Sequence, residues 1–301
     1  MSFKIYRKTG QSALPEFQSN PKLNDPALYI PSDALVDAVN VALTLGQPLL
    51  LTGEPGTGKT QLAYHIAHYF GLGSPLVFTA QTSSTAMDLF YKYDALGHFQ
   101  FNQNSRDPLS IEELENRFIR YNALGEAIRT QKRAVVLIDE IDKAPRDLPN
   151  DVLFAIEKLK FRVPELDKSY ESVANVRPII ILTSNSEKNL PDAFLRRVIY
   201  YHIPFPSSED LLKILNTKTE GIAQEDLAKA IAHFSDIRDM KLKKSPATAE
   251  LIFWVLLLQK VGFPISKLGG TLTEAEKETL RLTYSVLAKN KEDLQSLKDN
   301  L

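Results

Sequence analysis

The run PLLLTGEPGTGKTQLAYHIAHYFG, residues 48–71, constrains this chain more than any other stretch. A short, wholly apolar segment, Leu49 to Leu51, leads into a glycine-rich turn and then a helical pattern, which reads as buried strand, loop and helix. Residues 53–60, GEPGTGKT, fit G-x-x-x-x-G-K-[ST] throughout. In such a loop the glycines let backbone N–H groups point inward around phosphates, and the helix N-terminus adds partial positive charge. Gly53, Glu54, Pro55, Gly56, Thr57 and Gly58 form the expected cradle. Lys59 then contacts the β- and γ-phosphates, and the Thr60 hydroxyl ligates magnesium.

Three further apolar runs, LVFTA (76–80), AVVLID (134–139) and PIIILTSN (178–185), read as buried-type strands separated by helical or loop segments. Their alternation predicts an α/β fold, a parallel sheet with helices on both faces. The second run ends in Asp139 and Glu140, at the carboxyl edge where such sheets bind ligands. Asp139 there holds magnesium through water, and Glu140 orients or deprotonates an attacking water. The adjacent glutamate favours hydrolysis over phosphoryl transfer to a small molecule, because a kinase must exclude water. Lys59 and Asp139 stand 80 positions apart, more than one helix, strand and helix need, so an insertion is expected. AMDLFYKYDALGHFQF (86–101) predicts a helix interrupted by a hairpin turning at residues 95–98, and FRVPELDKSYESVANVRP (161–178) predicts a second hairpin. Both are open between covering the core and touching a substrate or neighbour.

A chain of 301 residues exceeds one compact core, so two domains are expected. SDALVDAVNVALTLG (32–46) has a serine N-cap, a helical period and a terminal glycine. After residue 206 the strand signals stop. SSEDLLKILN (207–216), AQEDLAKAIAHFSDI (223–237), SPATAELIFWVLLLQKV (245–261) and TEAEKETLRLTYSVLAK (273–289) each carry capping and helical signals. The expected layout is an irregular arm over 1–26, a nucleotide-binding α/β domain over 27–206 and a smaller all-helical domain over 207–301. A net charge of -1 gives no general attraction for nucleic acid. The absence of cysteine excludes disulfides, thiolate metal sites and thiol nucleophiles. With no uninterrupted apolar core in MSFKIYRKTGQSALPEF and no window long enough to span a bilayer, a cytoplasmic location without membrane insertion is expected. His65 and His68 lack a carboxylate to complete a metal pattern and read as helix surface or packing; Trp254 reads as helical core.

Taken together, GEPGTGKT, VVLIDEIDKAP (135–145) and ILTSN (181–185) resemble the Walker A, Walker B and sensor 1 motifs of the AAA+ ATPases, and within them the MoxR-like group, related to dynein-like and chelatase-type members. The resemblance extends over roughly 32–260 and implies a P-loop NTPase sheet with a helical lid, hydrolysing ATP with Mg2+. It implies that Asn185 helps position the hydrolytic water beside Glu140, and that the inserted hairpins are typical of the group. It further implies a homo-oligomeric ring, expected to be a hexamer, with chaperone-like remodelling of a partner. Such a partner commonly bears a von Willebrand factor A domain, and the work done is metal or cofactor insertion or maturation of a complex.

In this family a lid arginine, sensor 2, opens a helix. The matching segment, KLKKSPATAELIFW (241–254), has Ala247 where the arginine follows Ser-Pro. Lys244 or Lys243 can stand in as a point charge without the bidentate fork, or the turn is simply solvated. In PDAFLRRVIYYHIPFP (191–206), Arg196 and Arg197 taken alone read as solvated surface. The resemblance makes this the arginine-finger position, acting in trans, with Arg197 in the usual place before the final strand and Arg196 beside it. Two other functions stay open: the motor of a nucleic-acid machine, such as a restriction-type translocase or helicase loader, and a nucleotide-gated switch with little turnover. Weak net charge opposes the first and the intact Glu140 the second.

Overall fold

The computed structural model describes Tyr6, Thr9, Ala13 and residues 20–104, 109–186 and 190–301. The arm expected over 1–26 therefore lies largely outside the described residues. Its described end holds two 3-10 turns, Pro21–Leu23 and Pro26–Leu28, started by Asn20 and Asp25 side chains that accept the N–H groups of Lys22 and Ala27. The chain forms two compact units. One runs over Pro31–Gly53 and Gly58–Ile203; the other gathers Pro204–Leu301, Glu54–Thr57 and the described residues up to Ile30.

The first unit begins with α1 (Asp33–Leu45), whose start is fixed by the Ser32 hydroxyl accepting the Leu35 N–H and whose end is a left-handed Gly46, as its sequence signals predict. There follow β1 (Leu49–Thr52), α2 (Lys59–Tyr69), β2 (Leu76–Thr79), β3 (Tyr91–Tyr93), α3 (Ala95–Asn104), α4 (Ile111–Phe118), β4 (Ile119–Tyr121) and α5 (Ala123–Thr130). Then come β5 (Val135–Asp139), α6 (Leu148–Lys158), β6 (Lys160–Val163), β7 (Lys168–Glu171), β8 (Ile179–Thr183), α7 (Asp192–Leu195) and β9 (Ile199–His202). Five strands make one parallel sheet in the order β2-β5-β8-β1-β9. Its three inner strands are continuous apolar runs because both faces are covered. LVFTA departs from the buried type expected of it. β2 is an edge strand, and Val77 there is 42% exposed. The register sets Thr79 beside Asp139 and Leu51 beside Thr183, so the chemistry-bearing strand ends share one edge.

The insertion also departs from expectation. Residues 95–98 do not turn a hairpin; they begin α3, because the Asp94 carboxylate accepts the Gly97 N–H while the Asp94 carbonyl accepts that of His98. β3 instead pairs antiparallel with β4, Tyr91 opposite Tyr121, and carries α3 and α4 between the two strands. The second expected hairpin forms as β6 and β7, antiparallel, with Phe161 opposite Tyr170. The two inserts share an aromatic cluster in which Phe161 stacks on Phe90 at 4.9 Å. Glu115 accepts from the Tyr121 and Tyr170 hydroxyls at 2.7 and 3.0 Å and pairs with Lys168 at 2.5 Å.

The helical unit contains α8 (Ser208–Lys218), α9 (Gln224–Asp239), α10 (Thr248–Lys260), α11 (Glu274–Thr283) and α12 (Lys291–Asp299). Trp254 is fully buried in its core and donates its indole N–H to Thr283 at 2.9 Å, the satisfied partner a buried tryptophan needs. Lys218 is buried because its ammonium reaches the carbonyls of Lys22 and Leu23. α12 was not expected; its segment offers only Leu294 and Leu297 as an apolar stripe, started by the Asn290 cap. Among the described residues no helix is long and apolar enough to cross a membrane.

Candidate active site

The glycine loop leaves β1 and enters α2 through Gly56 and Gly58, at φ of 78° and 89°, backbone that L side chains rarely adopt. Lys59 opens α2 and is buried, its ammonium donating to the Gly53 carbonyl at 2.8 Å. Burial pulls its pKa below the usual lysine value, and the nearby charges of Asp139, Asp142 and Glu140 oppose that shift. The Thr60 hydroxyl donates to Asp139 Oδ1 at 3.1 Å, across 79 residues of sequence. Thr57 closes the loop on itself, its hydroxyl donating to the Glu54 carbonyl at 2.9 Å.

Asp139 ends β5, and Glu140 follows in the left-handed region with φ 58°. A non-glycine residue there stores strain of about 1–3 kcal/mol unless its surroundings fix it. They do: the Glu140 N–H donates to Thr183 Oγ1 at 3.0 Å, and that hydroxyl donates to Asp139 Oδ1 at 2.5 Å. The Glu140 carboxylate pairs with Lys143 Nζ at 2.6 Å. Thr183 and Lys143 escaped the sequence reading. The signal for Thr183 was a lone hydroxyl at the end of the apolar run PIIILT, one strand away from the acidic pair. Asn185 lies two residues beyond β8, exposed, and its backbone N–H donates to Asp142 Oδ1 at 3.2 Å.

The two arginines lie just past the end of a helix. α7 is a single turn ending at Leu195; Arg196 is its C-cap, and the Arg197 N–H closes a turn on the Phe194 carbonyl. Both side chains are exposed, and neither forms an ion pair among the described residues.

In the helical unit the KLKK turn is held by the buried Asp293, whose carboxylate accepts the backbone N–H groups of Lys243 and Lys244 at 2.8 and 3.1 Å. Lys243 also pairs with Glu292. Within the same unit stands a cation the sequence reading passed over. Arg238, near the end of α9 and only 16% exposed, donates to Glu54 Oε2 at 2.9 Å and to the Pro246 carbonyl, with its guanidinium 3.5 Å above the Phe205 ring.

The donor set suits magnesium. A hydroxyl and a carboxylate 3.1 Å apart are hard oxygen donors of the kind magnesium takes.

A strand order with β8 set between the phosphate-loop strand β1 and the acidic strand β5, and a helix rising from that loop, sets the chain among AAA-type P-loop ATPases. Residues 48–198, half of the chain, match the AAA domain of the dynein-related subfamily, and the chain belongs to that family. Domains of this kind bind ATP and Mg2+ in general, and AAA+ proteins typically oligomerise. Among solved structures, a variant of Thermotoga maritima RuvB is similar at a TM-score of 0.48 and 15% identity, over 83% of this chain and 67% of that one.

Proposed function

We propose that this chain is a MoxR-like AAA+ ATPase that hydrolyses ATP in a homo-oligomeric ring, expected to be hexameric, and uses the cycle to remodel or mature a partner complex. The observation that supports this reading is the hydrogen-bonded series Thr60, Asp139, Thr183 and Glu140, which joins the phosphate loop to the acidic strand end. Lys59 and the backbone N–H groups of Gly53, Glu54, Gly56, Thr57 and Gly58 bind the phosphates. Thr60 and Asp139 hold magnesium, which when bound neutralises charge on the phosphate oxygens. Glu140 orients the attacking water and takes its proton, and Asn185 hydrogen-bonds the same water. Arg197, with Arg196 beside it, reaches the γ-phosphate of a neighbouring subunit, where a fixed guanidinium stabilises growing charge without reorganising. Lys244, or Lys243, supplies the lid cation. The partner is a protein bearing a von Willebrand factor A domain.

The test is light scattering on the Glu140→Gln variant with and without ATP, alongside turnover of Arg197→Ala. ATP should shift Glu140→Gln towards the ring, and Arg197→Ala should bind ATP yet lose turnover. A strict monomer at high concentration, or full activity in Arg197→Ala, would overturn the ring reading.

A further inference from the structure

At the amino edge of the sheet, away from the phosphate loop, lies a cavity of about 540 Å3. That volume falls in the range of small-molecule sites, about 300–1,000 Å3. The starts of β1 and β8 form its floor through Leu49 and Ile179, and Leu43 of α1 with Ile66 and Phe70 at the end of α2 form its walls. Phe70 remains 47% exposed.

Two charged side chains border this apolar surface, Arg133 and Arg177, and no carboxylate or lysine lines it. Their proximity follows from the register. Val135 pairs with Ile179 in parallel, and each arginine stands two positions ahead of that pair, so the two enter the same edge on neighbouring strands. Each uses one N–H on a backbone carbonyl: Arg133 Nε on Asn175 at 3.2 Å, and Arg177 Nη2 on Ile156 at 3.5 Å. A guanidinium has five N–H donors, so most of this capacity is uncommitted. Neither arginine forms an ion pair among the described residues.

The geometry points to a binding site for a small amphipathic carboxylate. Its apolar body leaves water against Leu43, Ile66 and Phe70, and its carboxylate takes the forked donors of Arg133 and Arg177. The nucleotide reading plays no part in this inference, because the site uses the opposite ends of β1 and β8.

Decanoate, below its micelle concentration, is a suitable probe, with decanol as the neutral control of equal chain length. The full chain, with Ile, Leu and Val methyls labelled, is titrated and followed by NMR. Saturable shifts confined to Leu43, Leu49, Ile66 and Ile179 are expected, with decanol weaker by about tenfold. The exposed pair Arg133→Gln with Arg177→Gln should weaken decanoate by about tenfold and leave decanol unchanged, whereas Phe70→Ala should weaken both. No saturation, equal affinity for the two probes, or unchanged decanoate affinity in the double arginine variant would overturn the assignment. Because both arginines are exposed, a circular dichroism spectrum matching wild type is expected for that variant.

Discussion

Thr183 Oγ1 donates to Asp139 Oδ1 at 2.5 Å, and the same hydroxyl accepts the Glu140 N–H at 3.0 Å, so one buried side chain fixes both acidic residues at the strand end. Thr183→Val keeps the shape and removes both bonds. Stranding a polar group in a buried place costs about 1–3 kcal/mol, and here the loss falls on the placement of Glu140. Turnover should drop by about tenfold to a hundredfold while ATP affinity changes less than about threefold. Thr183→Ser, which retains the hydroxyl, should recover most of the rate; steady-state ATPase and nucleotide-binding titrations separate the two effects.

Lys143 Nζ sits 2.6 Å from Glu140 Oε2, with both side chains partly exposed, 53% and 33%. Hydrogen bonding to Glu140 raises the Lys143 pKa above its usual value. A carboxylate engaged by an ammonium is a poorer water-orienting group, so Lys143→Ala is expected to raise turnover by about two- to fivefold at low salt. Salt screens a pair this exposed. The wild-type rate should therefore climb towards that of the variant as sodium chloride increases, and a gap that does not narrow would show that the ion pair has no bearing on turnover.

His233 stacks against Trp254 and Tyr284, with centroids 5.6 and 6.0 Å away, and its Nε2 lies 2.8 Å from the Tyr284 hydroxyl. Burial lowers its pKa below 6.5, with Asp236 opposing. The unfolded chain therefore takes up a proton near pH 6.5 that the folded chain refuses until lower pH. This contribution to stability is full above about pH 6.5 and is lost as pH falls towards the folded pKa, with a slope of at most about 1.4 kcal/mol per pH unit. Urea midpoints at pH 7.5 and 5.5 should differ less in His233→Phe than in wild type.

The sheet was legible because its inner strands are apolar on both faces and end in polar residues that have no other reason to be adjacent. Lys59, Thr60, Asp139 and Glu140 announce themselves by spacing along the chain. Thr183 does not: only the β5–β8 register reveals its role. The pairing of Tyr91 with Tyr121 was hidden for a similar reason, since two helices intervene and the local pattern favours a tight turn. Arg238 and Glu54 are separated by 184 residues, and nothing local in either segment marks the other. The arginines at 196 and 197 fell outside α7 because that helix stops after one turn, where the chain swings into β9.

Gly125 lies in the first turn of α5, where a helix normally gains about 1 kcal/mol from alanine over glycine. Here sterics reverse that preference. A Cβ on Gly125 would meet the Phe90 carbonyl oxygen at 1.9 Å and the Phe90 Cα at 2.9 Å, backbone that a rotamer change cannot clear. The segment cannot easily retreat, because the same carbonyl accepts the Asn122 N–H at 2.8 Å and the Asn122 side chain donates to the Asp88 carbonyl at 2.6 Å. Gly125→Ala should therefore destabilise by about 3 kcal/mol or more, by overpacking and loss of those bonds. Gly46→Ala is the useful comparison: its φ of 61° is left-handed, unlike the helical backbone at Gly125, but nothing lies within 4 Å of the added carbon. Only the conformational penalty of about 1–2 kcal/mol applies there. Urea unfolding of both variants separates the two costs, and a Gly125→Ala variant as stable as Gly46→Ala would mean that α5 does not press on Phe90 this closely.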